Sequence, residues 1–591
     1  MIPFRWSLAV AILVALVGCS GHPPNTAVSE GKAAQSDGSL REATPLAAII
    51  KTQGVRPLDP GAATPLLDQA QAELEKTDPH HRYRGVTYNL TATNALDGDW
   101  IIQTPNRWGR RGTGLVYYPL PLCAGCIPDI ALPACRTDAD CGGGTCGPLA
   151  TATAITGQAG QRVCLGHSDA VIDRIYNLIS GARQAVDVAV LQPPPDTRFL
   201  SSLRAGINNL AKSGRKVTVR ILIGQYPIEG GADAKALLEE VIRDAKSVRT
   251  SRLSFYVSAM RSCTGELGCD SFSWNHAKIL AVDGRAAIVG GHNLWSRDYL
   301  LDEPVHDLSM ELRGPAAASA TRFADAMWRF VCDHKGRDDA VQVVSFERGD
   351  DEIEDDCLAT MLLPPPQPVG NVKVLSVGRL AAGITDDFAN QNDLARDLLL
   401  GAARQDILIV QQDVAFTLGR PNPLYPESTL ERLADFLLAE QGDVYMVLSN
   451  PGAVSSSNMS YNNGVAPESV ARKLRDVARG RRKLSDTALD ALLCSHLHIA
   501  PIRFGPDDTW VDNKPIGNHA KFWMVDNHVF YIGSDNFYPV NLQEFGYIVD
   551  DKEAASQLRH AYWDPLWQWS KRAAISGSDA TRCIFLEPLK L

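Results

Sequence analysis

The sequence predicts an α/β protein built from two similar domains, each with a mixed sheet, in a pseudo-two-fold bilobal arrangement. Three observations lead there. A stretch starting at Asn275, NHAKILAVDGRAAIVGGHN, returns at Asn518 as NHAKFWMVDNHVFYIGSDN, an offset of 519 − 276 = 243 residues between the histidines. The same succession of strand-type and helix-type periodicities precedes both copies. A proline run, Pro364-Pro365-Pro366, separates the two halves and can continue neither a strand nor a helix. An offset of this size is far longer than a solenoid period, so it reads as domain duplication.

The first segment, 1–19, has the pattern of a signal peptide. Arg5 supplies a positive start and Leu8–Val17 an apolar run too short to span a bilayer. Leu16-Val17-Gly18-Cys19 looks like a bacterial lipobox, which makes Cys19 the expected lipidation site and the mature N-terminus. By resemblance to lipoprotein sorting rules, Ser20 favours the outer membrane of a two-membrane bacterium. The expected location is therefore lipid-anchored at the cell envelope, or secreted. Residues 20–60, rich in Gly, Ser, Ala, Pro and Thr, read as a flexible tether.

The first domain is expected over 61–359. Helix periodicity marks Thr64–Lys76, Ala170–Gly181, Leu200–Lys212 and Pro315–Phe330, and β-rich runs mark Ala185–Leu191, Val217–Ile223 and Leu253–Val257. A strand, helix and strand of these lengths form a βαβ crossover, which implies parallel strands within a mixed sheet. Residues 360–369 are the linker. The second domain, 370–591, repeats the order: helix at Leu394–Ala403, strand at Asp406–Gln412, helix at Thr429–Ala439, strand at Val444–Leu448 and motif strand at His519–Val525.

There are 13 cysteines, and 12 remain when Cys19 is set aside. In an exported chain an even number favours disulfides over metal. Six of them (Cys123, Cys126, Cys135, Cys141, Cys146 and Cys164) define a small Gly-rich insertion over 123–164. A zinc knuckle is the rival there, since CAGC is a C-x-x-C pair. Cys263 with Cys269 and Cys332 with Cys357 are plausible local loops, which leaves Cys494 and Cys583 to pair. Spacing alone leaves the connectivity open.

The net charge of −10 argues against a nucleic-acid partner held through phosphates. The chemistry lies in the repeat. Each copy has H-x-K-x-x-x-x-D: His276, Lys278 and Asp283, then His519, Lys521 and Asp526. A His and a Lys two apart share one face of an extended chain. Together they suit a phosphate, with an ammonium for its charge and an imidazole for its phosphorus. Gly-rich tails ending in Asn293 and Asn536 add a close backbone approach and an amide donor. A buried core His beside a Lys explains one such copy as well as a site does; it does not explain two copies with matching tails. Asp283 and Asp526 belong to the candidate catalytic set through the motif, although their place five residues past the Lys, at a strand end, suits a structural ion pair or turn more than a catalytic group.

H-x-K-x-x-x-x-D followed by G-G/S-x-N is the signature of the phospholipase D superfamily. GGHNLWSRDYL, HDLSMELRGPAAASATRFADAMWRF and NLQEFGYIVDDKEAASQLRHAYWDPLWQWS resemble stretches of its secreted bacterial members, over about Ala62 to Trp569. The resemblance implies two phospholipase D-type domains and hydrolysis of the distal phosphodiester of phospholipids, phosphatidylcholine among them. It implies a phosphohistidine intermediate, transphosphatidylation with alcohols, no cofactor and no metal. The substrate is a phospholipid at a membrane surface, and one chain with both motifs is expected to act as a monomer. A phosphatidyltransferase of the cardiolipin or phosphatidylserine synthase type, or a superfamily nuclease, is the alternative. The resemblance makes His276 the nucleophile and His519 the general acid/base, a choice the symmetry of the motifs leaves open. It also implies crossed carboxylates: Glu544 behind His276 and Asp307 behind His519, with Glu544 standing where Asp is expected. Trp295, Tyr299 and Tyr461 match positions near the headgroup pocket, where aromatic faces suit a quaternary ammonium.

Overall fold

Periodicity and capping account for the first half. Its elements are α1 (Leu66–Lys76), β1 (Tyr88–Asn94), β2 (Ile101–Thr104), β3 (Thr145–Pro148), β4 (Arg162–Leu165), α2 (Ala170–Ser180), β5 (Ala185–Val190), α3 (Thr197–Ser213), β6 (Lys216–Gly224), α4 (Ala234–Ile242), β7 (Arg252–Cys263), β8 (Ser273–Trp274), β9 (Ile279–Val282), β10 (Ala286–Gly290), α5 (Ser296–Tyr299), β11 (Asp307–Arg313), α6 (Ala316–His334) and β12 (Val341–Glu347). The second half has β13 (Val372–Arg379), α7 (Gln391–Leu400), β14 (Asp406–Gln411), α8 (Glu427–Leu438), β15 (Asp443–Leu448), α9 (Pro467–Arg481), α10 (Asp486–His496), β16 (Leu497–Pro501), β17 (Phe522–Val525), β18 (Val529–Gly533), β19 (Glu544–Asp550), α11 (Lys552–Leu558) and α12 (Asp564–Ser570). Side-chain caps start several of the helices: Asp233 accepts from the Ala236 amide, Asn390 from Asp393, Ser485 from Ala488 and Asp551 from Ala554.

The computed structural model describes residues 53–109, 134–141, 144–150, 162–166, 168–194, 197–225, 232–263, 273–300, 304–336, 341–347, 352–385, 389–417, 422–454, 460–510, 513–581 and 583–586. The expected signal peptide, Cys19, nearly all of the tether, Cys123, Cys126 and Cys269 lie outside them.

Two sheets carry the fold, one for each half. In the first, the order is β12-β7-β6-β5-β9-β10-β11-β2, with β8 on β7; in the second it is β1-β13-β19-β18-β17-β14-β15-β16. The expected βαβ crossovers are there, with β5, β6 and β7 parallel and β14, β15 and β16 parallel. The remaining pairs in each sheet are antiparallel, so both sheets are mixed. One assignment by chain order changes. β1 pairs with β13, and α1 packs on the second half's helices. Residues 66–94 therefore belong by packing to the second sheet, while β2, a few residues on, joins the first. The linker 360–369 has neither helix nor strand.

Each sheet has an outer helical layer: α2, α3 and α4 cover the first, and α1, α7, α8 and α9 the second. A third core is shared between the halves. Val289, Leu308 and Met310 of the first sheet meet Phe530, Ile532 and Phe545 of the second, and Phe323 of α6 lies 5.2 Å from the Phe545 ring. Fully burying side chains of this size contributes roughly 1.5–3 kcal/mol each. This shared core sets the two motif strands against one another.

Four disulfides join described cysteines: Cys135–Cys146, Cys141–Cys164, Cys332–Cys357 and Cys494–Cys583. Cys263 is also oxidised. Cys135, Cys141 and Cys146 are the one group among the described residues clustered closely enough to hold a metal, but their sulfurs are already in disulfides. The zinc-knuckle alternative therefore has no thiolates there.

Candidate active site

The two motif strands are shorter than their alternation predicts. β9 and β17 begin at Ile279 and Phe522, after His276-Ala277-Lys278 and His519-Ala520-Lys521. The reason is a hydrogen bond across the halves. The His276 amide donates to the Gln543 carbonyl at 3.0 Å, and the His519 amide donates to the His306 carbonyl at 2.7 Å. Asn275 pairs in parallel with Gln543, and His306 with Asn518. These residues have left their own ladders to bridge to the other half.

An asparagine sets each departure. The Asn275 side chain donates to the Val190 carbonyl at 2.8 Å and accepts from the Ala277 amide at 3.0 Å. Asn518 does the same with Gln411 at 2.7 Å and Ala520 at 3.1 Å. Their recurrence at the offset of the motif histidines, 518 − 275 = 243, is the sequence signal for this role.

The bridges put each histidine beside a carboxylate from the other half. His276 Nδ1 lies 2.9 and 3.0 Å from the two oxygens of Glu544, at the start of β19. His519 Nδ1 lies 2.8 Å from Asp307 Oδ2, at the start of β11. The pairs span 268 and 212 residues of chain. Nε2 remains as the other ring nitrogen of each histidine. The two rings stand 6.4 Å apart at 75°.

The lysines close the floor. Lys278 Nζ donates to the His276 carbonyl at 2.6 Å, and Lys521 Nζ donates to that of His519. Both are buried. Burial drives the Lys278 ammonium well below its ordinary value and Lys521 down to about 8. Asn293 Oδ1 and Asn536 Oδ1 are buried without a partner, while Asn536 Nδ2 donates to Tyr538 Oη at 2.7 Å. The two buried ammoniums favour an entering anion, which would stabilise their charged forms.

Burial also keeps the imidazoles neutral. It lowers His276 to about 4 and His519 well below its usual value, with Lys521 and Lys278 adding to the latter. The acids differ. Burial raises Asp307 to about 7, outweighing Lys521 and the Leu308 amide. Burial also acts on Glu544, but the His276 contact and then the Arg379 and Lys278 charges hold it below the ordinary carboxylate range. Ser534 Oγ donates to Glu544. Its counterpart Gly291 has no room for a side chain, since a Cβ there would fall 1.8 Å from Asp307 Oδ1.

Asp283 and Asp526, in the candidate catalytic set through the motif, occupy the strand-end turns that their spacing suits. Each has positive φ, 54° and 53°, at the far end of its motif strand. Asp283 accepts from the amides of Arg183, Gln184 and Ala185, and Asp526 from those of Arg404, Gln405 and Asp406. They tie down the entries to β5 and β14.

The three aromatics are buried rather than arranged as an open cage. Tyr299 Oη lies 3.3 Å from His519 Nδ1. The Tyr461 ring stands edge-on to His519 at 5.1 Å, and its hydroxyl donates to Asp298. Trp295 is buried with Nε1 unpartnered. Sequence reasoning missed the residues behind the acids, namely Thr104, His292, Arg379 and Asp535. Comparing the two tails position by position, GGHN against GSDN, would have exposed the His292/Asp535 difference.

No family model matches the chain. A phospholipase D of Streptomyces antibioticus is 30% identical over 558 residues, covering 86% of this chain and 88% of that protein. Among solved structures, a phosphatidylserine synthase of Haemophilus influenzae Rd KW20 is similar at a TM-score of 0.45 and 14% identity, covering 68% of this chain and 84% of that one. A polyphosphate kinase of Porphyromonas gingivalis is similar at a TM-score of 0.32 and 11% identity, covering 66% and 47%.

Proposed function

The chain belongs to the phospholipase D family, and from that premise we propose that it hydrolyses the distal phosphodiester of phospholipids to phosphatidic acid and a free headgroup. The observation that supports this best is the crossed pair of histidines, each with a carboxylate from the opposite half at Nδ1.

His276 Nε2 attacks phosphorus, and the bond from phosphorus to the headgroup oxygen breaks. The Glu544 carboxylate holds the Nδ1 proton and stabilises the positive ring of the phosphohistidine. His519 protonates the departing alcohol, drawing on the proton it shares with Asp307. Lys278, Lys521, Asn293 and Asn536 surround the charge that develops on the phosphoryl oxygens. In the second half-reaction His519 removes a proton from water, the hydroxide oxygen bonds to phosphorus, and the bond to His276 breaks. An alcohol in place of water gives the phosphatidyl alcohol. Trp295, and Tyr461 beside His519, are the walls for the headgroup, and Tyr299 steadies His519.

The acting unit in this reading is one chain, since both halves of the site are in it. Its two domains follow the two sheets, with residues 66–94 packed on the second and the insertion 123–164 in the first. Location follows from the start of the sequence. Cys19 is diacylated and anchors the enzyme through the tether, and the disulfides suit an oxidising compartment. Cys19→Ala is expected to leave the membrane fraction while keeping its rate on a soluble phosphodiester. A mutant that stays membrane-bound would remove the anchor from this account.

Product analysis on phosphatidylcholine, with and without ethanol, tests the reaction. The expected products are phosphatidic acid plus choline, and phosphatidylethanol when ethanol is present. Intact lipid, or cleavage on the glycerol side of the phosphate, would sink the assignment.

A further inference from the structure

The duplicated halves place different residues directly behind their acids. In the second half Glu544 pairs in register with Arg379 of β13, and in the first Asp307 pairs with Thr104 of β2. Arg379 and Thr104 therefore occupy corresponding positions. Each has a partner from the motif tail: Arg379 Nη2 lies 2.9 Å from Asp535 Oδ1, and Thr104 Oγ1 lies 2.8 Å from His292 Nε2. Asp535 and His292 also correspond, at 535 − 292 = 243 residues, the offset of the two motif histidines. One acid is thus backed by a charged pair and the other by a neutral pair.

We propose that Arg379 is the positioning residue that makes the two histidines unequal, by keeping Glu544 ionised behind His276, while Thr104 and His292 leave Asp307 free to hold a proton for His519. This rests on the reading that His276 is the nucleophile. A nucleophilic imidazole becomes cationic on phosphorylation and needs a permanent anion at Nδ1. An acid/base imidazole instead needs a neighbour that gives up and regains a proton near neutral pH.

The surroundings agree with that division. Arg379 Nη2 stands 3.6 Å from Glu544 Oε1, and its Nε donates to the Leu542 carbonyl at 2.9 Å. Its other arm reaches Asp393 at 3.0 Å, and Arg396 closes the network on Asp535 at 2.6 Å. Glu544 also faces His276, Lys278, Lys521, Asp535, Tyr531 and the Ser534 hydroxyl. Around Asp307 stand His519, Lys521, Lys278, Tyr299, Tyr461, Tyr562 and the Leu308 amide. Both acids feel the two lysines. Among the described residues, a guanidinium lies within 4 Å of Glu544 and none is paired with Asp307. On the first side, burial lowers His292 to about 3, so its ring adds no charge.

The test is the pH profile of kcat/KM on a soluble phosphocholine ester, with folding followed by thermal unfolding. Arg379→Gln is expected to move the acid limb up by about one pH unit or more, since an opposite charge at this range holds a carboxyl down by about that much. Arg379→Lys is expected to restore most of the wild-type limb, and the alkaline limb should stay in place for both. A folded Arg379→Gln enzyme with the wild-type acid limb would overturn the proposal. If Arg379→Gln does not fold, Asp393→Asn decides, because Asp393 is the acid on the other arm of the guanidinium that is held ionised. Losing that competing anion should move the acid limb down, and an unmoved or raised limb overturns the proposal. His276→Ala is measured in parallel. If it retains activity, the catalytic reading itself fails. If it is dead while the acid limbs do not move, only the role of Arg379 fails.

Discussion

The two halves share a backbone plan and differ in what fills it. At the histidines the plan is strictly repeated: an asparagine kink, an amide bridge to the other half and a lysine folded back on its histidine's carbonyl. Behind the acids it diverges, with Arg379 and Asp535 on one side and Thr104 and His292 on the other. The same holds deeper in the sheets. Asp187 and Arg220 are register partners across β5 and β6, and Leu408 and Tyr445 are register partners across β14 and β15. The first pair forms a buried ion cluster with Asp325, Arg220 Nε lying 2.7 Å from Asp187. The second is an aromatic layer of Tyr445, Trp563 and Trp567 beside a cavity of about 200 Å³. Duplication supplies symmetry in the main chain, and the side chains behind the two acids break it.

The largest effect should come from the histidines. His276→Ala and His519→Ala are each expected to lower kcat about 10⁴-fold or more on phosphatidylcholine. Only His519→Ala should still form a phosphohistidine from a substrate with a good leaving group. An adduct trapped on His519 in the His276→Ala enzyme would reverse the comparison.

The carboxylates come next. Glu544→Gln and Asp307→Asn are expected to lose about 10²–10⁴-fold, because an amide no longer holds its imidazole in the working tautomer. Glu544→Gln should slow adduct formation even with a good leaving group, and Asp307→Asn should not. Equal losses in a single-turnover assay would mean the halves are chemically alike.

The pH dependence sharpens the contrast at a smaller scale. Burial raises Asp307 to about 7, so the Asp307–His519 pair keeps its proton below that pH and gives it up above. The alkaline limb of kcat/KM should therefore centre near pH 7, with activity falling as pH rises through it. Glu544 is held low, so the acid limb should lie below the usual carboxylate range. An alkaline limb two or more pH units higher would place the transferable proton elsewhere.

The smallest effect is on stability. Arg220→Met leaves Asp187 and Asp325 without their counter-ion and is expected to cost about 3–5 kcal/mol in denaturant unfolding. The corresponding Tyr445→Phe removes one hydroxyl with a half-exposed acceptor, Asp443, and should cost under about 1 kcal/mol. Comparable losses would show that the two layers hold their sheets equally.

Much of the molecule was legible in advance because its signals are local. The helix at Ala170–Ser180 has isoleucines at helical spacing, and the strand at Ala185–Val190 is a continuous apolar run suited to a parallel interior. His276, Lys278, His519 and Lys521 stood out because the pattern occurs twice. The misplaced features share a different origin. The motif strands were read as beginning at the histidines because alternation continues there. An amide bridge to another half of the chain has no periodic signature. Residues 66–94 were placed with the first domain because they precede it in sequence, and a strand joins whichever sheet edge lies open to it.

The sequence by itself determined that there are two α/β halves, that His276, Lys278, His519 and Lys521 form a repeated pattern, and that the cysteines favour disulfides. Spacing of two or 3.6 residues, and a motif written twice, are enough for that. The tertiary structure supplied the contacts themselves: His276 against Glu544 and His519 against Asp307 across 268 and 212 residues of chain, a crossing that resemblance alone had implied, and the backbone amides that hold Asp283 and Asp526 in turns. It also decided that one acid lies against a guanidinium and that the other has the Thr104–His292 pair behind it. Proton affinity in a buried site depends on desolvation and on charges a few ångströms away, and both arise only when distant segments pack together.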